Sequence, residues 1–74
     1  MSNKNPTIKE VFVSAYQNFQ KGNFEVAENL YKKILNTNPN HFGSNFYLGT
    51  LLIQTKRFEL AKALLYKATQ INPN

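Results

Sequence analysis

Apolar residues recur every three or four positions along most of this chain. Val26, Leu30 and Ile34 are spaced by four residues, and Leu60 and Leu64 show the same spacing. Steps of four place side chains on one face of an α-helix, whereas a half-buried strand alternates with a period of two, and no stretch of the sequence does so. The pattern therefore predicts an all-α chain whose helices each bury one face.

Capping and turn residues divide this pattern into four helices. Thr7 followed by Glu10 is a capping box, in which the hydroxyl and the carboxylate each accept a hydrogen bond from a free backbone N–H. Gly22 suits a left-handed turn, Asn23 suits the cap of the next helix, and Pro39 ends that helix because it lacks a backbone donor. We predict helices at about residues 8–20, 24–36, 41–54 and 58–71.

When Phe58 is aligned with Phe24, the second half of the sequence can be compared position by position with the first half. Ten of the 33 aligned pairs between residues 8–40 and 42–74 are identical, against about two expected by chance. The chain is therefore an internal duplication. We expect a lead-in at residues 1–7, a first unit at 8–41 and a second unit at 42–74.

The composition fits a small folded domain in a reducing compartment. The 74 residues are 42% hydrophobic and 18% charged, which is too apolar for a disordered chain. There is no Cys, so disulfides and thiolate chemistry are excluded. No apolar run has the length of a signal peptide or a membrane span. We expect a cytoplasmic protein, and its net charge of +5 weakly favours acidic partners.

The sequence offers few groups for catalysis. His41 is the only histidine and lies in the linker between the two units, where a turn or cap role is expected. The four carboxylates, Glu10, Glu25, Glu28 and Glu59, are assigned to capping and to first turns, where the helix dipole favours them. No Gly-rich phosphate loop or metal-ligand spacing is present. The sequence therefore predicts a chain that is not an enzyme and needs no cofactor or metal.

Small, aromatic and Pro positions recur at the period of the duplication. The second unit carries Leu48, Gly49, Ala61, Leu65, Ala68 and Pro73, and the first carries Ala15, Gly22, Phe24, Ala27, Tyr31 and Pro39. Paired helices with these positions at this period resemble the tetratricopeptide repeat family, although Asn45 and Leu52 replace its Trp and Tyr. The resemblance implies two helix-turn-helix hairpins, four antiparallel helices in all, stacked as a short right-handed α-solenoid that acts as a protein-interaction scaffold.

In this family the first helix of each hairpin lines a concave groove. The resemblance therefore implies partner contacts at outward positions of the first and third helices, here Lys9, Phe12, Val13, Tyr16, Phe19, Gln20, Phe46, Tyr47, Thr50, Ile53 and Gln54. Some members grip a C-terminal carboxylate with Lys and Asn at such places, where this chain has Phe12, Tyr16 and Tyr47. We expect an apolar peptide or helix as the partner, or a second copy. The alternative, that this aromatic stripe is core packing, stays open.

Two features of the second unit suggest self-association. Lys56 stands where the first unit has Gly22, so the turn is either strained or opened into one long helix of a domain-swapped homodimer. Leu65 and Ala68 are expected to face water at the end of an uncapped array, which indicates self-association or a segment of a longer protein.

Two further functions are alternatives to a scaffold. The family is often fused to transferases, so the chain is alternatively the N-terminal arm of a larger enzyme. A basic helical domain that binds nucleic acid is the weaker alternative, because its lysines, Lys32, Lys33, Lys62 and Lys67, resemble a solvated face without interleaved aromatic residues.

Overall fold

A computed structural model of the protein, which describes residues 5–73, shows two helical hairpins in tandem. Their four helices are α1 (Ile8–Gln20), α2 (Phe24–Thr37), α3 (Phe42–Gln54) and α4 (Phe58–Ile71). Within residues 5–73 no strand occurs, and each predicted helix is confirmed to within one residue at either end. Residues 1–4 of the expected lead-in and Asn74 of the expected second unit lie outside the described residues.

The helix starts depend on local capping. The predicted capping box is confirmed, since Glu10 N–H donates to Thr7 Oγ1 at 3.1 Å and Thr7 N–H donates to the Glu10 carboxylate at 2.9 Å. His41 is the cap residue of α3 rather than its first helical residue, because its Nδ1 accepts from Ser44 N–H at 3.1 Å. Asn23 stands at the cap position of α2, but its side chain makes no capping bond there and donates to Asn18 Oδ1 instead.

Both hairpin turns have the same backbone hydrogen bonds. Asn23 N–H donates to Asn18 C=O, and Arg57 N–H donates to Leu52 C=O one repeat further along the chain, each at 2.8 Å. Gly22 has φ of 82° in the first turn, and Lys56 has φ of 65° in the second. The second turn is therefore closed, with Lys56 in the left-handed conformation that favours glycine.

The helices stack in chain order. α1 packs on α2, α3 packs on α4, and α2 packs on α3, whereas α1 meets α3 at only a few residues. Small residues permit the close approach of α3 to α4, since a Cβ atom added to Gly49 would lie 2.7 Å from Leu65 Cγ. This arrangement is a short helical solenoid.

One hydrophobic core runs through both hairpins. Its fully buried members come from all four helices and are Ala15, Ala27, Tyr31, Leu48, Leu51, Leu52 and Ala61. The linker between the hairpins is fixed to this core by Asn45, which is 1% exposed and donates through Nδ2 to the carbonyls of Pro39 and His41, each at 3.0 Å. A buried amide with satisfied donors thus occupies the place of the family's tryptophan.

The structure corrects the expected exposure at the end of the array. Ala68, expected to face water, is only 2% exposed, and Leu65 is partly buried. Ala61, Leu65 and Ala68 share one face of α4, because they are spaced by four and three residues. That face turns towards α3, where the Leu65 side chain lies against Gly49.

The structure also corrects the role assigned to Glu28. This carboxylate lies beyond the first turn of α2, is 8% exposed, and accepts two hydrogen bonds from the guanidinium of Arg57, one of them at 3.0 Å. Lys32 Nζ, a second cation, lies 2.9 Å from Glu28 Oε2, the oxygen that also accepts the 3.0 Å hydrogen bond from Arg57. The Arg57 hydrogen bonds, and after them the Lys32 ammonium, hold the pKa of Glu28 at about 2, against an ordinary value of 4.5 and against the opposing effect of burial. Glu28 therefore ties the first hairpin to the second.

Candidate functional site

A groove of about 420 Å³ lies between α1 and α3. Its lining residues are Phe12, Val13, Tyr16, Gln17, Gln20 and Tyr47. All but Gln17 belong to the set that the sequence predicts for a concave groove. No charged side chain belongs to this lining, so the groove suits apolar and aromatic groups with a few neutral hydrogen-bonding partners.

Tyr47 is the centre of the aromatic packing in this groove. Its ring centroid lies 5.1 Å from that of Tyr16, 6.0 Å from that of Phe12 and 6.1 Å from that of Phe19. The Phe46 ring meets the same Tyr47 ring edge-on, with their centroids 5.1 Å apart. These separations lie in the range in which aromatic pairs stabilise one another. Because Tyr47 contacts α1 from α3, it holds the two walls of the groove at a fixed distance.

Three of the predicted groove residues also pack against the core. Phe12, Phe19 and Tyr47 are partly buried against its fully buried members. The tip of the Phe12 ring reaches the first turn of α3, where a Cβ atom on Gly43 would lie 2.6 Å from Phe12 Cζ. These three rings therefore shape the groove and hold the hairpins together at the same time.

The other predicted residues lie further out. Val13 is 46% exposed and Phe46 is 40% exposed, while Thr50 donates its hydroxyl proton to the Phe46 carbonyl at 2.9 Å. Lys9, Gln20 and Gln54 are exposed. Ile53, at 44% exposure, lines a different groove, between α3 and α4. The structure thus places Val13, Tyr16 and Gln20 together as the accessible wall of the concave groove and sets Ile53 apart from them.

Tyr31 does not line the groove but packs behind its lining, and the sequence-based set omits it. It belongs to α2, is 0% exposed, and stacks on the Tyr47 ring at 6.4 Å. Its hydroxyl has no hydrogen-bond partner among the described residues. Burial, and next to it the neighbouring Tyr47 and Tyr16 hydroxyls, raise the pKa of Tyr31 above its ordinary value. In the sequence, Tyr31 is recognisable only as an aromatic residue of the second helix, and this position alone does not show which groove its side chain lies beneath.

The lysines proposed for phosphate contacts are not equivalent to one another. Lys32 pairs with Glu28 on α2, whereas Lys33 lines a small cavity between α1 and α2 together with Ile8 and Val11. Within residues 5–73 no three His, Asp or Glu side chains come together as a metal-binding group would require. No helix in that range is long and apolar enough to cross a membrane.

Two helical hairpins stacked in tandem, with a groove between their first helices, define a helical-repeat protein. The chain belongs to the tetratricopeptide repeat family, since the model of this repeat matches residues 18–74. Repeats of this family are typically non-catalytic and bind other proteins. No curated protein and no solved structure is significantly similar to the chain.

Proposed function

We propose that this protein is a non-catalytic interaction module that binds an apolar peptide or helix in the concave groove between α1 and α3. The proposal rests on the accessible, uncharged wall formed by Val13, Tyr16 and Gln20 opposite the ring of Tyr47. Aromatic rings supply a large contact area at a low cost in side-chain entropy, and the tyrosine hydroxyls and the Gln20 amide supply hydrogen bonds that orient the ligand.

The ligand is expected to be recognised along its length rather than at a charged end. No Lys or Arg belongs to the groove lining, so a terminal carboxylate has no cation to pair with there. Apolar side chains of a bound segment would instead pack on the aromatic rings. Membership in a family of protein-binding repeats supports a polypeptide rather than a small molecule as the ligand.

Selection from a random peptide library displayed on phage tests the proposal. Enriched peptides are expected to carry aromatic or branched apolar residues and to bind equally well with a free or an amidated C-terminus. Affinity is then measured by fluorescence anisotropy for the wild type and for Val13→Glu, which places a charge in the groove. Desolvating that carboxylate is expected to weaken binding by about tenfold or more.

Val26→Glu is the matched control. Val26 is 48% exposed on α2, close to the 46% of Val13, and is not part of the groove lining. Tyr47 is unsuitable for this comparison, because its ring packs on the core and its loss would weaken the fold. Equal affinity of the two glutamate variants for the enriched peptides, or no enrichment over a bare support, would contradict the proposal.

A further inference from the structure

The concave groove carries four polar side chains that are free to bind a ligand. They are the hydroxyls of Tyr16 and Tyr47 and the amides of Gln17 and Gln20. None of them forms a hydrogen bond within the part of the chain that the structure describes. Each hydroxyl and each amide nitrogen can donate to a carbonyl oxygen. The groove is therefore able to hold the carbonyl groups of a bound polypeptide.

The backbone of α1 is less useful to such a ligand. The carbonyls from Phe12 to Tyr16 accept hydrogen bonds inside the helix, and the Gln17 carbonyl accepts from Lys21 N–H at 3.1 Å. A bound segment that brings backbone N–H groups into the groove must satisfy them at side-chain oxygens, because an unpaired donor is costly there. Proline brings a carbonyl and no N–H. The hydrogen-bonding groups of the groove thus favour a segment rich in proline.

The length of the groove favours an extended ligand over a helical one. Its residues on α1 run from Phe12 to Gln20, which spans about 12 Å at 1.5 Å per residue. About four residues of a polyproline II helix, or about two turns of an α-helix, cover this distance. An isolated α-helix of two turns is unstable in water, so binding would have to supply the free energy of forming it. The polyproline II conformation is already formed in proline-rich chains, and its binding costs less conformational entropy.

The aromatic rings and the absence of charge fit the same kind of ligand. The Tyr47 ring centroid lies 5.1 Å from that of Tyr16 and 6.0 Å from that of Phe12, so the three rings form one continuous surface. Proline-rich segments dock in grooves that are lined by aromatic rings. No charged side chain belongs to the lining, which matches the uncharged proline ring and gives an acidic or basic motif nothing to pair with.

We propose that the concave groove binds a short, uncharged, proline-rich segment of another polypeptide in the polyproline II conformation. The rings of Phe12, Tyr16 and Tyr47 pack on its prolines and on the apolar residues between them, and the tyrosine hydroxyls donate to its carbonyls. This inference rests on the function proposed above and names the class of peptide that the groove selects.

Fluorescence anisotropy with two labelled peptides of equal length tests this inference. One carries prolines at i and i+3 with leucine and valine between them, which places the prolines on one face of a polyproline II helix. In the other, every proline is replaced by alanine, which restores the N–H groups and favours an α-helix. The wild-type chain is expected to bind the proline peptide at least about tenfold more tightly than the alanine peptide.

Two matched variants test the role of the tyrosine hydroxyls. Tyr16→Phe keeps the ring and removes the hydroxyl, so it is expected to weaken binding of the proline peptide by about two- to tenfold. Tyr66→Phe makes the same change on α4, where Tyr66 is 66% exposed and outside the groove lining, and should leave the affinity unchanged. Circular dichroism will verify that both variants fold.

The inference is overturned if the alanine peptide binds as tightly as the proline peptide, or if Tyr16→Phe and Tyr66→Phe bind the proline peptide equally well. Either result leaves the proposed function standing as long as the phage-selected peptides bind and Val13→Glu weakens their binding. If Val13→Glu leaves the binding of every peptide unchanged, the groove is not the binding site, and the proposed function fails together with this inference.

Discussion

The ion pair between the two hairpins leads to a prediction about stability and its dependence on pH. Glu28→Gln removes the carboxylate while keeping the size of the side chain. Arg57 then keeps at most one of its two acceptors, the amide oxygen, and loses the negative charge that it pairs with, while Lys32 loses its ion pair. We therefore expect this single substitution to loosen the contact of α2 with the start of α4.

The size of the effect follows from the pKa of Glu28. The folded protein holds this pKa at about 2, below the ordinary value of 4.5. One pKa unit corresponds to about 1.4 kcal/mol, so the pair contributes at most about 3 kcal/mol to the free energy of unfolding. Solvent screens the interaction, because the side chains of Arg57 and Lys32 are 44% and 56% exposed. A loss of about 1 to 2 kcal/mol near pH 7 is therefore expected.

The sign of the pH dependence is fixed by the direction of the shift. A carboxylate with a lowered folded pKa contributes its stabilisation above its unfolded pKa and loses it as the pH falls towards the folded value. The difference in unfolding free energy between wild type and Glu28→Gln should therefore be constant above about pH 5 and should shrink between pH 4.5 and pH 2. Urea unfolding followed by circular dichroism across this range measures it.

Two comparisons test the reasoning behind this prediction. Glu25→Gln removes an exposed carboxylate from the first turn of the same helix, and it should lower the free energy of unfolding by less than Glu28→Gln does. In an Arg57→Gln background, Glu28→Gln should lower the free energy of unfolding by clearly less than it does in the wild type, because the ion pair is already broken. An equal cost in both backgrounds, or a difference that persists unchanged to pH 2, would refute the assignment of this stability to the ion pair.

Two further predictions concern the backbone and the close helix contact. Lys56→Gly should raise the free energy of unfolding by about 0.5 to 1 kcal/mol, because it relieves the strain of a non-glycine residue at a left-handed φ of 65°. Gly22→Ala should lower the free energy of unfolding by a similar amount. Melting curves that show unchanged stability for both variants would contradict this prediction. Gly49→Ala should lower the free energy of unfolding by about 1 kcal/mol or more in urea, because the added Cβ lies 2.7 Å from Leu65 Cγ. Leu65→Ala should then lower the free energy of unfolding by less in the Gly49→Ala background than in the wild type. Additive losses of stability would contradict the contact between the two residues.

The sequence by itself determined the helices and their duplication. The four helix ranges follow from signals that act within a few residues, such as the Thr7 and Glu10 capping box, Gly22 at the first turn and Pro39 after the second helix. Such signals are readable in one dimension because the groups that satisfy the helix ends are near neighbours in sequence. The period of the duplication and the recurring small positions then identified the family.

The candidate site could be predicted only in part. The resemblance to the repeat family placed Phe12, Val13, Tyr16 and Tyr47 on one expected concave surface, and these four side chains line one groove of the structure. It did not separate Val13, which is accessible, from Phe12, which packs against the core, nor did it place Ile53 in a different groove. Residues on one helix face differ in exposure according to where the neighbouring helix lies, and that position is set by packing between distant segments.

Only the tertiary structure decided the features that join residues far apart in the chain. Glu28 and Arg57 are 29 residues apart, and the ion pair between them depends on how the second hairpin stacks on the first. Ala68 turns inwards for the same kind of reason, since the contact of Leu65 with Gly49 fixes which face of α4 meets α3. Burial and pairing of this kind depend on the distance between helices and on their rotation, which local spacing along the sequence does not specify.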